Sequence, residues 1–448
     1  MVSPVADRGT RLSAPMDHFS YRDGQLHCED VPLARVAEQV GTPAYIYSRA
    51  TLEWHYRELA RAFADIRPRI LYSVKSCGNV HLLRILADCG SGMDVVSGGE
   101  LHRALVAGTD PGKIVFAGVG KTDAELEQAI RARIGFINVE SVAELEQVEL
   151  TARRLGSVPS IALRINPDVI DAKTHKHTTT GNKGSKFGID LEEIEALYDR
   201  YGKSATLSLR GLHFHLGSPI YSAEPYVRAA DRVFALIRSL RAKGYRVDAL
   251  DIGGGFMADY GYRDTHVPSF DQYAGPIVEA FKEFVAGGGL VMMEPGRTIS
   301  ANAGLLLAKV LYVKRSGDKN IAVVDTGMHH LIRPALYESV HFIWPVQVRD
   351  AHVPKSRDTQ VESEGLVPYD IVGPICESTD RLASERQLPP LQRGDLLAIF
   401  TAGAYGMVMA SQYNAVPRPP EILVEGSRIR TIRRRETYDD LVAAEVDL

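Results

Sequence analysis

A run of apolar and aromatic residues, Leu71-Tyr72-Ser73-Val74, ends in Lys75 and passes at once into Ser76-Cys77-Gly78-Asn79. This is the pattern of a buried strand delivering one amine to the mouth of a sheet. Desolvation among apolar walls disfavours an ammonium, so the expectation is a lowered pKa and a neutral, nucleophilic amine. Such an amine forms a Schiff base with an aldehyde. Taken alone, the segment reads more readily as a lysine that snorkels to water from a strand end; its chemistry depends on what else the chain brings to the same place.

Asp251-Ile252-Gly253-Gly254-Gly255-Phe256 offers three glycines whose backbone N–H groups can approach an anion with no side chain in the way, as a phosphate cradle demands. It does not match Gly-x-Gly-x-x-Gly, so no dinucleotide site is read there. Glu294-Pro295-Gly296-Arg297 adds a carboxylate, a glycine donor and an arginine, for which an internal ion pair is the plainer account. In His213-Phe214-His215-Leu216-Gly217-Ser218 the two histidines share one strand face. No third metal ligand accompanies them, so no metal is expected; a ring for stacking on a flat cofactor, with Ser218 as a phosphate donor, explains the segment better. Further on, Cys376 and Glu377 stand side by side in a turn, Tyr405 lies between glycines, and Arg333 and Tyr337, four apart, are placed to hold one carboxylate. Each of these has a purely structural account when taken singly.

The elements that must position these groups show a rhythm. Strand-like runs end near Lys75, Ser97, Ala117, Val139, Asn166, His215, Gly253 and Glu294. Between them lie amphipathic stretches such as 80–89, 99–107, 123–131, 142–155 and 226–243. About eight strands alternating with helices is the period of a (β/α)8 TIM-like barrel, and the polar residues cluster at strand C-terminal ends, where barrel active sites form. A doubly wound open sheet is the alternative. Past residue 300 short β-like runs follow one another (305–313, 320–325, 341–348, 369–372, 395–400 and 421–424), which reads as a C-terminal all-β domain. The organisation expected is therefore a disordered tail over 1–16, a β domain built from both chain ends (17–47 and 300–448), and a barrel over 48–299; 351–365 reads as a surface loop.

The chain has 448 residues, 24% of them charged and 45% hydrophobic, with a formal net charge of −4. That composition describes a globular protein and gives no reason to expect nucleic acid or membrane as partner. Cys28, Cys77, Cys89 and Cys376 form no Cys-x-x-Cys pair, which fits a reducing compartment. No signal-like or membrane-spanning run appears, so a cytoplasmic location is expected.

Together these segments resemble the fold-type III pyridoxal-phosphate-dependent decarboxylases, the alanine-racemase-like barrel family. The resemblance runs from about residue 17 to 440 and rests on Tyr72-Ser73-Val74-Lys75, Met93 to Glu100, Phe116 to Thr122, Arg164-Ile165-Asn166-Pro167 and Lys186-Phe187-Gly188-Ile189. It continues through His213 to Ser218, Gly253 to Phe256, Glu294 to Arg297, Arg333 to Tyr337, Cys376 to Asp380 and Ala402 to Met407. Two segments depart from the family pattern near the expected substrate end: Met328-His329-His330, where Asn-Asp is usual, and Thr178-Thr179-Thr180-Gly181-Asn182.

The resemblance implies that Lys75 holds pyridoxal 5'-phosphate as an internal aldimine and that His215 stacks on its ring. Ser218, Gly255, Gly296, Arg297 and Tyr405 would surround the phosphate, and Glu294 would pair with the pyridine nitrogen. A carboxylate there keeps that nitrogen protonated, and the protonated ring takes up the electrons left by CO2. A racemase of this fold tends to carry arginine at that place, so Glu294 favours decarboxylation. Cys376 would be the proton donor, contributed by a second subunit, so a homodimer with shared active sites follows. Glu377 would bind a distal substrate amine, and Arg297, Arg333 and Tyr337, beside Tyr405, a distal carboxylate. The implied reaction is decarboxylation of meso-2,6-diaminopimelate to L-lysine and CO2, the last step of lysine synthesis. The alternative is another basic or carboxylated amino acid.

Overall fold

The structure, a computed structural model, describes residues 17–169, 186–261, 266–348, 352–354, 357 and 364–446. The expected tail over 1–16, the variant loop from Thr178 to Asn182, and most of the loop expected over 351–365 lie outside the described residues.

Eight parallel strands form one closed sheet: β1 (Arg69–Ser73), β2 (Gly92–Val95), β3 (Ile114–Phe116), β4 (Phe136–Val139), β5 (Ser160–Asn166), β6 (Ser208–His213), β7 (Ala249–Asp251) and β8 (Leu290–Met293). β4 pairs with β5, and β8 returns to β1 through Met293↔Ile70, which shuts the barrel. The strand ends expected from the sequence lie no more than two residues beyond those observed. The helices between strands form for local reasons. Val142–Leu155, for example, starts where the Ser141 side chain accepts from the Glu144 N–H and stops at Gly156, whose φ is 61°. It buries Leu145, Val148 and Ala152 on one face.

Strand alternation sorts the barrel interior into two layers. Leu71, Val115, Phe136, Ala162, Ala249 and Met292 form a separate buried apolar cluster, and Gly211 keeps room open beside Ala162 and Phe136. Two residues further along the same strands come Ser73, Asn138, Arg164, His213, Asp251 and Glu294, all buried, with Asp94 on β2. The apolar layer is the floor; the polar layer above it faces the C-terminal mouth.

The second sheet is mixed. Its order is Arg381–Leu388, Val367–Val372, Lys319–Val324, Gly304–Ser316, Ala44–Ser48, Glu421–Glu425, Arg428–Arg433, with Leu396–Ile399 and Ile343–Pro345 branching from it. Gly304–Ser316 is long enough to serve three partners. Its first half pairs antiparallel with Ala44–Ser48 and Leu396–Ile399, its second with Lys319–Val324. The N-terminal strand Ala44–Ser48 is fully buried between Gly304–Ser316 and Glu421–Glu425. Two of these strands, Arg381–Leu388 and Arg428–Arg433, are absent from the sequence expectation, and the short helices Arg333–Tyr337 and Tyr438–Val442 accompany the sheet.

Candidate active site

Lys75 sits in a single 3-10 turn, Val74–Ser76, immediately after β1. Its Nζ donates to Asp94 Oδ2 at 2.6 Å, and the side chain keeps 36% of its surface open. Asp94, on β2, is fully buried, and the same Oδ2 accepts from Ser73 Oγ at 2.6 Å. The expectation of a neutral amine is corrected here. Burial does press the Lys75 pKa down, but the charges of Asp94 and Glu294 outweigh it and hold the group above its ordinary value. Burial and Glu294 also raise Asp94, against the pull of Lys75. We assign the pair as ammonium and carboxylate, because a proton on Asp94 Oδ1 would be buried with no acceptor: that oxygen has no hydrogen-bond partner.

Glu294 follows β8 and is buried. Its Oε2 lies 3.5 Å from His213 Nε2, and its Oε1 accepts from Asn138 Nδ2 at 3.4 Å. Burial alone would raise its pKa; the His213 imidazole and the Lys75 ammonium outweigh it and hold Glu294 below the usual carboxylate range. His215 lies two residues past β6. Burial, aided by the Arg164 guanidinium, lowers it to about 3, so its ring is neutral. Its Nδ1 accepts from the Gly254 N–H at 3.1 Å. Gly253 makes that approach possible, since a Cβ there would lie 2.6 Å from His215 Nδ1. Gly255, at φ 107°, faces the Gly217 carbonyl so closely that a Cβ would stand 2.5 Å from its oxygen.

At the outer end, Arg297 Nε donates to Ser218 Oγ at 3.2 Å, Nη1 to Tyr260 OH at 3.2 Å, and its guanidinium lies 4.8 Å from the Tyr405 ring centre. The Tyr405 N–H donates to the Ser76 carbonyl at 2.7 Å, joining the β-domain glycine loop to the turn that carries Lys75. Ser218, Arg297, Arg333, Tyr337 and Tyr405 line one cavity of about 400 Å³. Arg333 is buried, bonded to His341 Nε2 at 3.0 Å and Ser339 Oγ at 3.3 Å, and stacked 4.6 Å from the Tyr260 ring centre. Among the described residues no carboxylate pairs with it, and burial, with Arg333 beside it, lowers His341 to about 3.

Lys75, His215, Gly255, Glu294 and Gly296 stand at the barrel mouth and are not among the residues lining this cavity, and two further groups lie outside it. Cys376 and Glu377 are exposed, in a turn after Val367–Val372, with Glu377 accepting from Tyr413 OH. His329 and His330 are buried in the β domain and absent from the cavity lining, so the departure from Asn-Asp does not reach it in this chain. His213 and His215 do not share one cluster. Barrel closure gathers one of them, His213, with Asp251 and Glu294 within 4.8 Å. Sequence reasoning gave no role to Asp94, Asn138, Arg164, Asp251 or Tyr260. Asn138, Arg164 and Asp251 carry a signal in the strand alternation, each two residues past a floor residue; Asp94 follows Gly92 on β2, and Tyr260 follows no motif.

The donor set fits pyridoxal phosphate. Lys75 is an openable amine, His215 a neutral flat ring and Glu294 an ionised carboxylate, while the glycine turns, Ser218, Arg297 and Tyr405 lie together at one end. The unpartnered buried Asp94 Oδ1 and Asn138 Oδ1 mark a polar wall.

Barrel and lysine define a class of α/β-barrel enzymes, and a family model described as "Pyridoxal-dependent decarboxylase, pyridoxal binding domain" matches residues 49–301. The chain belongs to that family. It is 44% identical over 431 residues to a diaminopimelate decarboxylase of Pseudomonas aeruginosa, covering 96% of this chain and 99% of that protein. The crystal structure of diaminopimelate decarboxylase from Helicobacter pylori complexed with L-lysine is 38% identical, with a TM-score of 0.84 over 92% of this chain and 99% of that one. The enzyme from M. jannaschii in complex with L-lysine is 32% identical, with a TM-score of 0.88 over 96% and 98% of the two chains.

Proposed function

We propose that the chain decarboxylates meso-2,6-diaminopimelate to L-lysine and CO2 with pyridoxal 5'-phosphate, as the last step of lysine synthesis. The observation that carries the substrate is Arg333: a buried guanidinium on the cavity wall with Tyr337, whose bonding and stacking partners His341, Ser339 and Tyr260 are neutral. A buried cation of this kind favours a substrate that brings its own distal carboxylate. Ornithine, arginine and lysine bring none. His329 and His330, the motive for another basic or carboxylated substrate, are not among the residues lining the cavity.

Pyridoxal phosphate, when bound, supplies the electron sink for the pair left by departing CO2. In this reading Lys75 holds the cofactor, and Asp94 holds and returns the proton at Nζ. His215, a neutral ring, would face the cofactor ring, and Glu294 would hold a proton at its pyridine nitrogen. Ser218, Gly255, Gly296, Arg297 and Tyr405 bind the phosphate; Arg297, Arg333, Tyr337 and Tyr405 orient the distal carboxylate. Glu377 receives the distal amine, and Cys376 delivers the proton that replaces CO2. Both stand exposed and outside this chain's cavity, which supports their donation to a second copy in a homodimer with shared active sites. No helix among the described residues is long and apolar enough to cross a membrane, in keeping with a cytoplasmic protein. The same reading divides the chain into a barrel over 48–299 and a β domain over 17–47 and 300–448.

The test is lysine formation from meso-diaminopimelate with added pyridoxal phosphate, beside ornithine, arginine and lysine. Turnover of diaminopimelate alone is expected. CO2 from another of these amines, with none from diaminopimelate, would keep the chemistry and sink the substrate.

A further inference from the structure

Three strands bring a polar side chain beneath Glu294. Asn138 lies one residue before the end of β4, His213 ends β6, Asp251 ends β7, and all three are at most 1% exposed. Asn138 Nδ2 donates to Asp251 Oδ2 at 3.3 Å and to Glu294 Oε1 at 3.4 Å, so one amide serves both carboxylates. His213, Asp251 and Glu294 lie within 4.8 Å of one another. Two dry carboxylates this close cannot both stay ionised against one imidazolium. Lys75, whose charge also acts on Glu294, is already bonded to Asp94, and Arg164 to Glu140. One proton therefore resides on the pair. His213 stands 3.5 Å from Glu294, which favours the charge there and places the proton on Asp251.

We propose that Asp251 is a positioning residue: a neutral carboxylic acid in the native barrel that, with Asn138, holds Glu294 in place and keeps it ionised. The groups that act on it are Glu294 from β8 and His213 from β6, with the Gly253 N–H donating to its Oδ1 at 2.9 Å. Around Glu294 and the two histidines stand Lys75, Arg164 and His215. Burial and the Glu294 charge push Asp251 well above the usual carboxylate range, in agreement with the charge count. The consequence for catalysis rests on the reading that Glu294 faces the pyridine nitrogen; the protonation of Asp251 does not.

Two substitutions separate the possibilities. Asp251→Asn keeps a neutral donor and acceptor of the same shape, whereas Asp251→Leu removes both. In the cofactor-free protein, the infrared carbonyl band of a buried carboxylic acid is expected, and Asp251→Asn removes it. In the holoenzyme, Asp251→Leu lowers kcat by about tenfold with little change in KM and shifts the pH profile of the cofactor's visible band, while Asp251→Asn recovers most of that loss. An infrared spectrum unchanged by Asp251→Asn, or an Asn variant as impaired as the Leu variant, overturns the proposal. The infrared comparison needs neither the Leu variant nor bound cofactor. If the unsubstituted protein gave no visible band with pyridoxal phosphate, the cofactor reading would fail while the Asp251 assignment was still decided.

Discussion

Arg333 carries its charge among neutral partners, and that gives a sharp expectation. On the proposed role, Arg333→Leu is expected to raise KM for meso-diaminopimelate by about a hundredfold with a smaller effect on kcat, as for a group that binds carboxylate before and during reaction alike. Steady-state kinetics on the purified variant check it; a loss confined to kcat would place Arg333 elsewhere in the reaction. Lys75→Ala abolishes the visible cofactor band together with turnover, read by absorbance and CO2 release. The position of Lys75 was legible from the run that precedes it, but its charge was not. Asp94 arrives from the next strand, and a carboxylate bonded at 2.6 Å reverses what desolvation alone predicts. Arg333 and Tyr337 were legible by spacing, whereas Tyr260, which stacks on Arg333 and bonds Arg297, came from a segment with no pattern to read.

Among the elements, the turn bearing Cys376 is held by one carboxylate. Asp380 is buried and accepts from the Met328 N–H at 2.6 Å and from the Ile375 N–H at 2.7 Å. Gly327 and Gly373 leave room for it, as a Cβ on either would come within 2.3 Å of its oxygens. Asp380→Asn places an amide NH2 against one of those N–H groups. It should lower stability by about 1–3 kcal/mol and reduce kcat while leaving the cofactor band intact. Thermal unfolding, absorbance and kinetics distinguish this from a general loss of the site. The barrel's strands and helices were readable because each buries an apolar stripe of fixed period. Arg381–Leu388 and Arg428–Arg433 escaped because they lie at the two ends of the second sheet and carry arginine, glutamate and glutamine on half-exposed backbone. Each pairs with the strand just before it, as in Val372↔Arg381 and Leu423↔Arg430, so its place follows from that neighbour and not from an apolar alternation of its own.

For the whole molecule, buried neutral histidines set the acid limit. His341 is fully buried, and burial with Arg333 lowers it from 6.5 to about 3. The unfolded chain takes up a proton there below about pH 6.5 and the folded protein does not, so stability is lost as pH falls through that window. The loss at pH 5 is about 2 kcal/mol for this one residue. Unfolding by urea at pH 7 and pH 5 should show a difference that shrinks by about that amount in His341→Asn. His215 and His330, each lowered by burial to about 3, add in the same direction.

The strand Ala44–Ser48 bears on how the chain is made. Both of its edges are taken by strands that leave the ribosome far later, Gly304–Ser316 and Glu421–Glu425. At typical synthesis speeds of about 5–20 residues per second, roughly 20 to 75 seconds separate its emergence from that of its last partner. For that interval the nascent protein carries an apolar, unpaired β edge beside a barrel free to close, which invites pairing with other chains or capture by a holdase. A ribosome-bound chain arrested before residue 421 should therefore be cut by protease around 44–48 while the barrel resists.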